Sequence, residues 1–252
     1  MRAVITGATS GIGRDMAIFL AEHGWKLILT GRNSGELAAL KARYPDRVET
    51  IALDLAKDDA PFQLYKFCKG KRTDLLINNA GFGKYGRFSD TALEEELDMI
   101  SVNVRAVHIL TKLFLRDFRK RNSGRILNVA SSAGFLTGPN MSAYYASKNY
   151  VVRLSLAIAE ELRREKSNVT VSVLCPGPVD TNFNERAGAG FLVMGMKSPD
   201  VARYAIEKAL AGKWIIVPGA FMKLSVFAVK FLPHTVQPAI IGMIQKGREA
   251  LG

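Results

Sequence analysis

Thr6-Gly7-Ala8-Thr9-Ser10-Gly11-Ile12-Gly13 follows the apolar run Arg2-Ala3-Val4-Ile5 and opens a segment read as helix over 12–23. A strand that ends in glycines and runs into a helix presents backbone N–H groups and a positive helix end to a phosphate. The glycines let the main chain turn sharply and approach a pyrophosphate closely. Their spacing is Gly-x-x-x-Gly-x-Gly, not the Gly-x-Gly-x-x-Gly of most dinucleotide folds. Nucleotide binding in the first βα unit is the expectation.

The same alternation continues along the chain. Runs at 2–6, 26–30, 48–53, 74–78, 125–130, 169–174 and 214–217 read as strands, several of them nearly unbroken Val, Ile and Leu. Such runs suit strands covered on both faces of a parallel sheet. Helices are expected at 12–23, 34–43, 61–69, 91–120, 143–166 and 198–211. The predicted fold is α/β: a Rossmann-type, doubly wound, parallel seven-stranded sheet with helices on both faces, in a single domain over 1–252.

Composition sets further bounds. An apolar fraction of 48% and a charged fraction of 23% are ordinary for a globular chain. Cys68 and Cys175 are too few for a disulfide framework, and no apolar signal core precedes a small-residue cleavage site, so the cytoplasm is expected. The formal charge of +12 is scattered, with no basic stripe interleaved with aromatics, so no nucleic-acid partner is expected. No metal site is expected either.

The second strand ends Leu29-Thr30-Gly31-Arg32-Asn33. NAD sites usually place a carboxylate near this point for the adenine ribose, and none stands here. Arg32 instead offers a planar fork suited to a 2′-phosphate, which predicts NADP(H) as cofactor.

Tyr144-Tyr145-Ala146-Ser147-Lys148 sets a phenol and an ammonium one helical turn apart. A phenol titrates near ~10, and a cation held close favours its ionised form. Tyr144 has Lys148 at i+4 and Tyr145 has it at i+3, so spacing alone does not choose between them.

Taken together, these stretches resemble the short-chain dehydrogenase/reductase family in its single-domain form, over residues 2 to about 217. Thr6, Gly7, Ser10, Gly11, Ile12 and Gly13 look like its cofactor loop, and Asp54-Leu55 is similar to the pair that contacts adenine. Asn78-Asn79-Ala80-Gly81 looks like the motif beside the cofactor, which implies cofactor contacts from Asn79, Ala80 and Gly81. Asn103 matches the asparagine that kinks the long helix and holds a water in the proton relay. Ser131 stands thirteen residues before Tyr144, the family's separation of catalytic Ser and Tyr, which favours Tyr144 over Tyr145. Pro176, Gly177, Val179 and Thr181 fall in a segment similar to the family's Pro-Gly-x-x-x-Thr on the nicotinamide side.

The resemblance implies a mechanism. NADPH would deliver hydride to a carbonyl carbon, Ser131 would hydrogen-bond the oxygen, and Tyr144 would donate the proton. Lys148 would lower the phenol pKa and hold the nicotinamide ribose, with Asn103 completing proton supply.

The family also implies a substrate lid over 182–197, rich here in Gly, Phe, Leu, Val and Met. Beyond it, 219–252 reads as an apolar helical extension, in which Phe221, Leu224, Phe227, Ala228 and Phe231 recur at helical spacing. No run reaches the ~18 uncharged apolar residues of a spanning helix. The extension is either a flap on the substrate cleft or a segment in peripheral contact with a membrane, and the flap is preferred.

An apolar ketone or 3-oxoacyl-type substrate is expected. The alternatives are an NADP-dependent dehydrogenase of small hydroxy acids or polyols, a non-catalytic NADP(H) sensor, and a membrane-surface protein. A homodimer through the long helices is expected, because the extended tail is at odds with a tetramer through the last strand.

Overall fold

Ala3, Val4 and Ile5 are all sealed from solvent, and their side chains alternate between two cores. Ala3 and Ile5 point with Leu27, Leu29, Leu75 and Ile77 to one face, whereas Val4 points with Ile28 and Leu76 to the other. That period of two, with both faces apolar, makes each strand a buried element of a parallel sheet.

The chain is represented by a computed structural model that describes residues 1–181, 183, 187, 195–229, 231–233 and 235–249. Its order is β1 (Arg2–Thr6), α1 (Gly11–Glu22), β2 (Lys26–Gly31), α2 (Ser34–Arg43), β3 (Val48–Ala52), α3 (Ala60–Cys68) and β4 (Leu75–Asn78). Next come α4 (Leu93–Ile100), α5 (Val107–Lys120), β5 (Gly124–Val129), α6 (Ser142–Arg164), β6 (Val169–Leu174) and β7 (Val179–Asp180). The described chain closes with β8 (Met196–Lys197), α7 (Ser198–Leu210), β9 (Ile215–Ile216), α8 (Ala220–Val229) and α9 (Gln237–Glu249).

Seven strands form a parallel sheet in the order β3-β2-β1-β4-β5-β6-β9. Met16 and Leu20 of α1, Leu37 of α2, and Val201 and Ile206 of α7 pack on one face. Leu64 of α3, Leu110, Phe114 and Phe118 of α5, and Leu162 of α6 pack on the other. A fully buried side chain of this size contributes roughly 1.5–3 kcal/mol each, so the two cores are the main stabilising term.

The helix expected over 91–120 is not continuous α-helix. Between α4 and α5, Ser101–Ala106 forms a π-helical turn. One extra residue per turn at this point lets the buried Asn103 face inward, where its amide clasps the backbone of Phe82. Its Oδ1 accepts from Phe82 N at 3.1 Å, and its Nδ2 donates to Phe82 O at 2.9 Å. π turns of this kind are frequent at functional sites.

Most of the segment expected as a lid, 182–197, lies outside the described residues. At its far end, Met196 and Lys197 are strand residues rather than loop, paired with Val179 and Asp180.

Candidate active site

Strand order reverses between β1 and β4, and loops leaving the carboxyl ends of neighbouring strands part there into a crevice. A cavity of about 620 Å³ occupies it.

One end of the cavity is built from the first βα unit. Ser10, in extended conformation at φ −160°, precedes α1, so the free N–H groups of that helix open onto the cavity wall. Gly7, Ser10, Gly11 and Ile12 line it. Gly11 has φ +51°, and a Cβ there would meet Thr181 Cγ2 at 3.0 Å, so the turn after β1 packs against the residue that follows β7.

Thr6 and Gly13, also expected to touch cofactor, lie beneath the loop and do not line the cavity. The Thr6 hydroxyl accepts from Asn79 N and Ala80 N, both at 3.0 Å, while Asn79 Nδ2 donates to Thr6 O at 3.0 Å and Gly7 O at 3.1 Å. A Cβ on Gly13 would overlap Asn79 Nδ2 and Gly7 O. Thr6, Gly13 and Asn79 thus clasp the ends of β1 and β4 together.

Arg32 lines the cavity just after β2, exposed, and forms no ion pair with any described residue. Asp54 and Leu55 line the same end. The Asp54 carboxylate accepts from Ala56 N at 3.1 Å, which fixes the turn after β3. Sequence reading missed Thr9, Asn33 and Asp98 in this lining, none of which carries a local signal beyond polarity.

At the other end stand Ser131, Tyr144 and Lys148, with Ala80 and Gly81 beside them. Ser131 caps a short 3₁₀ turn, Ser132–Phe135, where its Oγ accepts from Ala133 N at 3.1 Å. The same hydroxyl hydrogen-bonds the Tyr144 phenol. Tyr144 and Lys148 share one face of α6, both buried, and Lys148 Nζ donates to Val129 O at 3.1 Å. Asn103 Nδ2 reaches Ser147 Oγ at 3.1 Å, and a Cβ on Gly81 would meet both Asn103 Oδ1 (2.9 Å) and Lys148 Nζ (3.1 Å). Asn103 itself does not line the cavity. Tyr145 does line it, and its ring packs on Gly138.

The electrostatics differ from the sequence expectation. Burial pushes the Tyr144 phenol up to about 12, against the opposing effect of its hydrogen bond to Ser131. Burial also pulls the Lys148 amine down to about 8, opposed by the Cys175 thiol. Lys148 was expected to lower the phenol. Here desolvation dominates instead, because both groups are sealed from water and the ammonium is turned to the Val129 carbonyl.

Pro176, Gly177, Val179 and Thr181 line the wall after β6. Much of the remaining apolar wall comes from the C-terminal extension: Met222, Val226 and Val229 of α8, then Leu232, and Ile240 and Ile241 of α9. Met222 fills the space that a Cβ on Gly177 would need. Phe221, Leu224, Phe227 and Phe231, which carry the apolar periodicity of this segment, point the other way, into solvent.

The residues suit a dinucleotide. A helix N-terminus and a glycine turn with free backbone donors stand at one end, and a hydrogen-bonded Ser–Tyr pair at the other. Comparison with known proteins agrees. Residues 1–190 match the short chain dehydrogenase family. A very-long-chain 3-oxoacyl-CoA reductase of Mycosarcoma maydis is 36% identical over 181 residues, covering 68% of this chain and 51% of that protein. The chain therefore spans about half the length of that relative. A 3-oxoacyl-[acyl-carrier-protein] reductase of Synechocystis is 32% identical over 83% of this chain and 85% of its own.

Among solved structures, a Sphingobium yanoikuyae short-chain dehydrogenase in complex with NADPH superposes with TM-score 0.83 at 28% identity, covering 91% of this chain and 92% of its own. One from Burkholderia phymatum in complex with NAD gives 0.81 at 26%, covering 90% of this chain and 91% of its own. This chain belongs to the short chain dehydrogenase family and is an oxidoreductase of that class.

Proposed function

We propose that the chain is an NADP(H)-dependent oxidoreductase interconverting a carbonyl and a secondary alcohol, with an apolar ketone or 3-oxoacyl chain as substrate. The observation that carries this is the hydrogen-bonded Ser131–Tyr144 pair facing a cavity whose far wall is apolar helix. The 3-oxoacyl class is supported by relatives that bear that name. Among the described residues, Arg32 and Lys148 are the only cationic side chains lining the cavity. That disfavours a small hydroxy acid, whose carboxylate would call for an arginine at the substrate end.

A bound nicotinamide cofactor supplies or accepts the hydride. Ser131 holds the substrate oxygen, and Tyr144, a neutral phenol at physiological pH, gives that oxygen its proton in reduction and takes it back in oxidation. Lys148 keeps its charge at neutral pH and stabilises the tyrosinate left after transfer. Asn103 positions both through Ser147 and the turn at Phe82. Gly7, Ser10, Gly11 and Ile12 hold the pyrophosphate, and Asp54 and Leu55 the adenine. Asn79, Ala80, Gly81, Pro176, Gly177, Val179 and Thr181 complete the cofactor wall. Solved relatives hold NADPH or NAD, so the choice of NADP(H) rests on the unpaired Arg32 fork.

We read the enzyme as cytoplasmic and as a homodimer through the long helices α4, α5 and α6; the exposed Leu93, Leu97 and Ile100 of α4 and Tyr150 of α6 support the dimer. No described helix is long and apolar enough to cross a membrane. The extension closes the cavity with one face and meets a membrane peripherally with the other. The test is oxidation of NADPH across 3-oxoacyl thioesters of increasing length. Turnover is expected to rise with chain length, and equal or better turnover of short polar ketones overturns the substrate class.

A further inference from the structure

Helix α8 has two apolar faces. Met222, Val226 and Val229 face the cavity, whereas on the opposite face Phe221 is 80% exposed, Leu224 66% and Phe227 56%. Phe231, 74% exposed, continues that row and stacks edge-on against Phe227 with centroids 5.3 Å apart. A helix covered on one apolar face by its own protein leaves the other to an outside partner.

The charge beside this face says which partner. A second, shallow pocket of about 240 Å³ lies at the foot of α8, between α7 and β9. Lys208, Lys213 and Lys223 converge on it over a floor that includes Tyr204, Ile215 and Val217. Lys208 Nζ and Lys223 Nζ stand 5.4 Å and 5.5 Å from the centroid of the one Tyr204 ring. None of the three lysines forms an ion pair with a described residue, and no acidic side chain lines the pocket. Glu207, exposed on α7, stays outside it. Trp214, 37% exposed, adjoins Lys213. Three uncompensated cations beside an aromatic and aliphatic face are the chemistry of an anionic bilayer surface. A second copy on the same face would bring matching lysines against these, in a chain already at +12.

We propose that Lys208, Lys213 and Lys223 form a headgroup site for anionic phospholipid and that the outward face of α8 enters the bilayer beside it. This rests on the reading of the extension as the wall of the substrate cavity, for it sets that wall between lipid and active site. An acyl ketone carried in the bilayer would then reach the cavity without crossing water.

The test is flotation of the full chain with phosphatidylcholine vesicles, with and without phosphatidylserine. Binding is the readout and turnover is not, so a wrong substrate class leaves the result standing. Wild type is expected to float with phosphatidylserine vesicles and to be released by salt. K208Q/K213Q/K223Q should lower partitioning on the order of 100-fold, at about fivefold for each lysine neutralised. F221S/L224S/F227S should abolish flotation while leaving the unfolding midpoint within a few degrees, since these side chains are exposed. Absence of flotation by wild type overturns the proposal, as does equal flotation of the lysine variant. A wild-type dimer that F221S/L224S/F227S converts to monomer, with vesicle binding unchanged, assigns the face to a second copy and overturns it too.

Discussion

Lys148 Nζ stands 5.9 Å from the centroid of the Tyr144 ring and gives its hydrogen bond to the Val129 carbonyl. The ammonium is near the phenol without being bonded to it, and burial governs both groups.

The first prediction concerns stability against pH in the protein without added cofactor. Lys148 titrates near 10.5 when unfolded and about 8 when folded, so its contribution to stability is present above 10.5 and is lost as pH falls through 8. Relative to Lys148→Met, wild type should gain about 3 kcal/mol of unfolding free energy between pH 8 and 10.5, read from urea denaturation. Tyr144 acts higher: its stabilisation is complete below 10 and is lost as pH rises toward 12, equally in both proteins. Parallel curves for the two proteins would refute the assignment.

Tyr144 is hydrogen-bonded to Ser131 and shares a buried face of α6 with Lys148. Tyr144→Phe is expected to lower kcat about 1,000-fold or more, since it removes the proton donor. Cofactor affinity should persist, and Tyr145→Phe should stay within a few-fold of wild type. Near-normal turnover by Tyr144→Phe contradicts the proposed role.

Arg32 sets the cofactor prediction. Arg32→Ala should raise the KM for NADPH about 10- to 100-fold, the usual loss for hydrogen bonds to a charged group, and leave that for NADH nearly unchanged. Equal effects on the two cofactors would remove Arg32 from the 2′-phosphate site.

Gly13 tests the clasp beneath the cofactor loop. Gly13→Ala drives a methyl against Asn79 Nδ2 and Gly7 O, where the backbone cannot yield cheaply. It should destabilise the protein by about 1–3 kcal/mol, the scale of an overpacked core. Cofactor affinity should fall with it, although Gly13 lines no part of the cavity. A variant as stable as wild type would mean that the loop relaxes freely.

Much of the fold was legible because its strands are covered on both sides. Leu75-Leu76-Ile77 and Leu27-Ile28-Leu29 have no polar face to hide the signal. The cofactor loop was equally plain, since its glycines occupy fixed offsets between strand and helix. Other features depend on contacts remote in sequence. The resemblance implied a kink at Asn103, but its form, a π turn whose asparagine is bonded to Phe82 twenty-one residues away, is not written in the local sequence. The Tyr144 phenol is set by desolvation, which no spacing reveals. In α8, periodicity detects that a helix is apolar, and the large aromatics drew attention to the face turned outward. Met222 and Val229, which line the cavity, gave a weaker pattern.

The chain has two tryptophans, Trp25 sealed in the core behind α1 and Trp214 half-open at the foot of α8. Their unequal burial equips the molecule with a built-in optical reporter. A collisional quencher dissolved in water reaches Trp214 and spares Trp25, so the quenchable part of the native emission follows the ground around Lys213 alone. Whatever settles on that ground, lipid or protein, can be watched in the unlabelled molecule, in real time, by the light of a single indole.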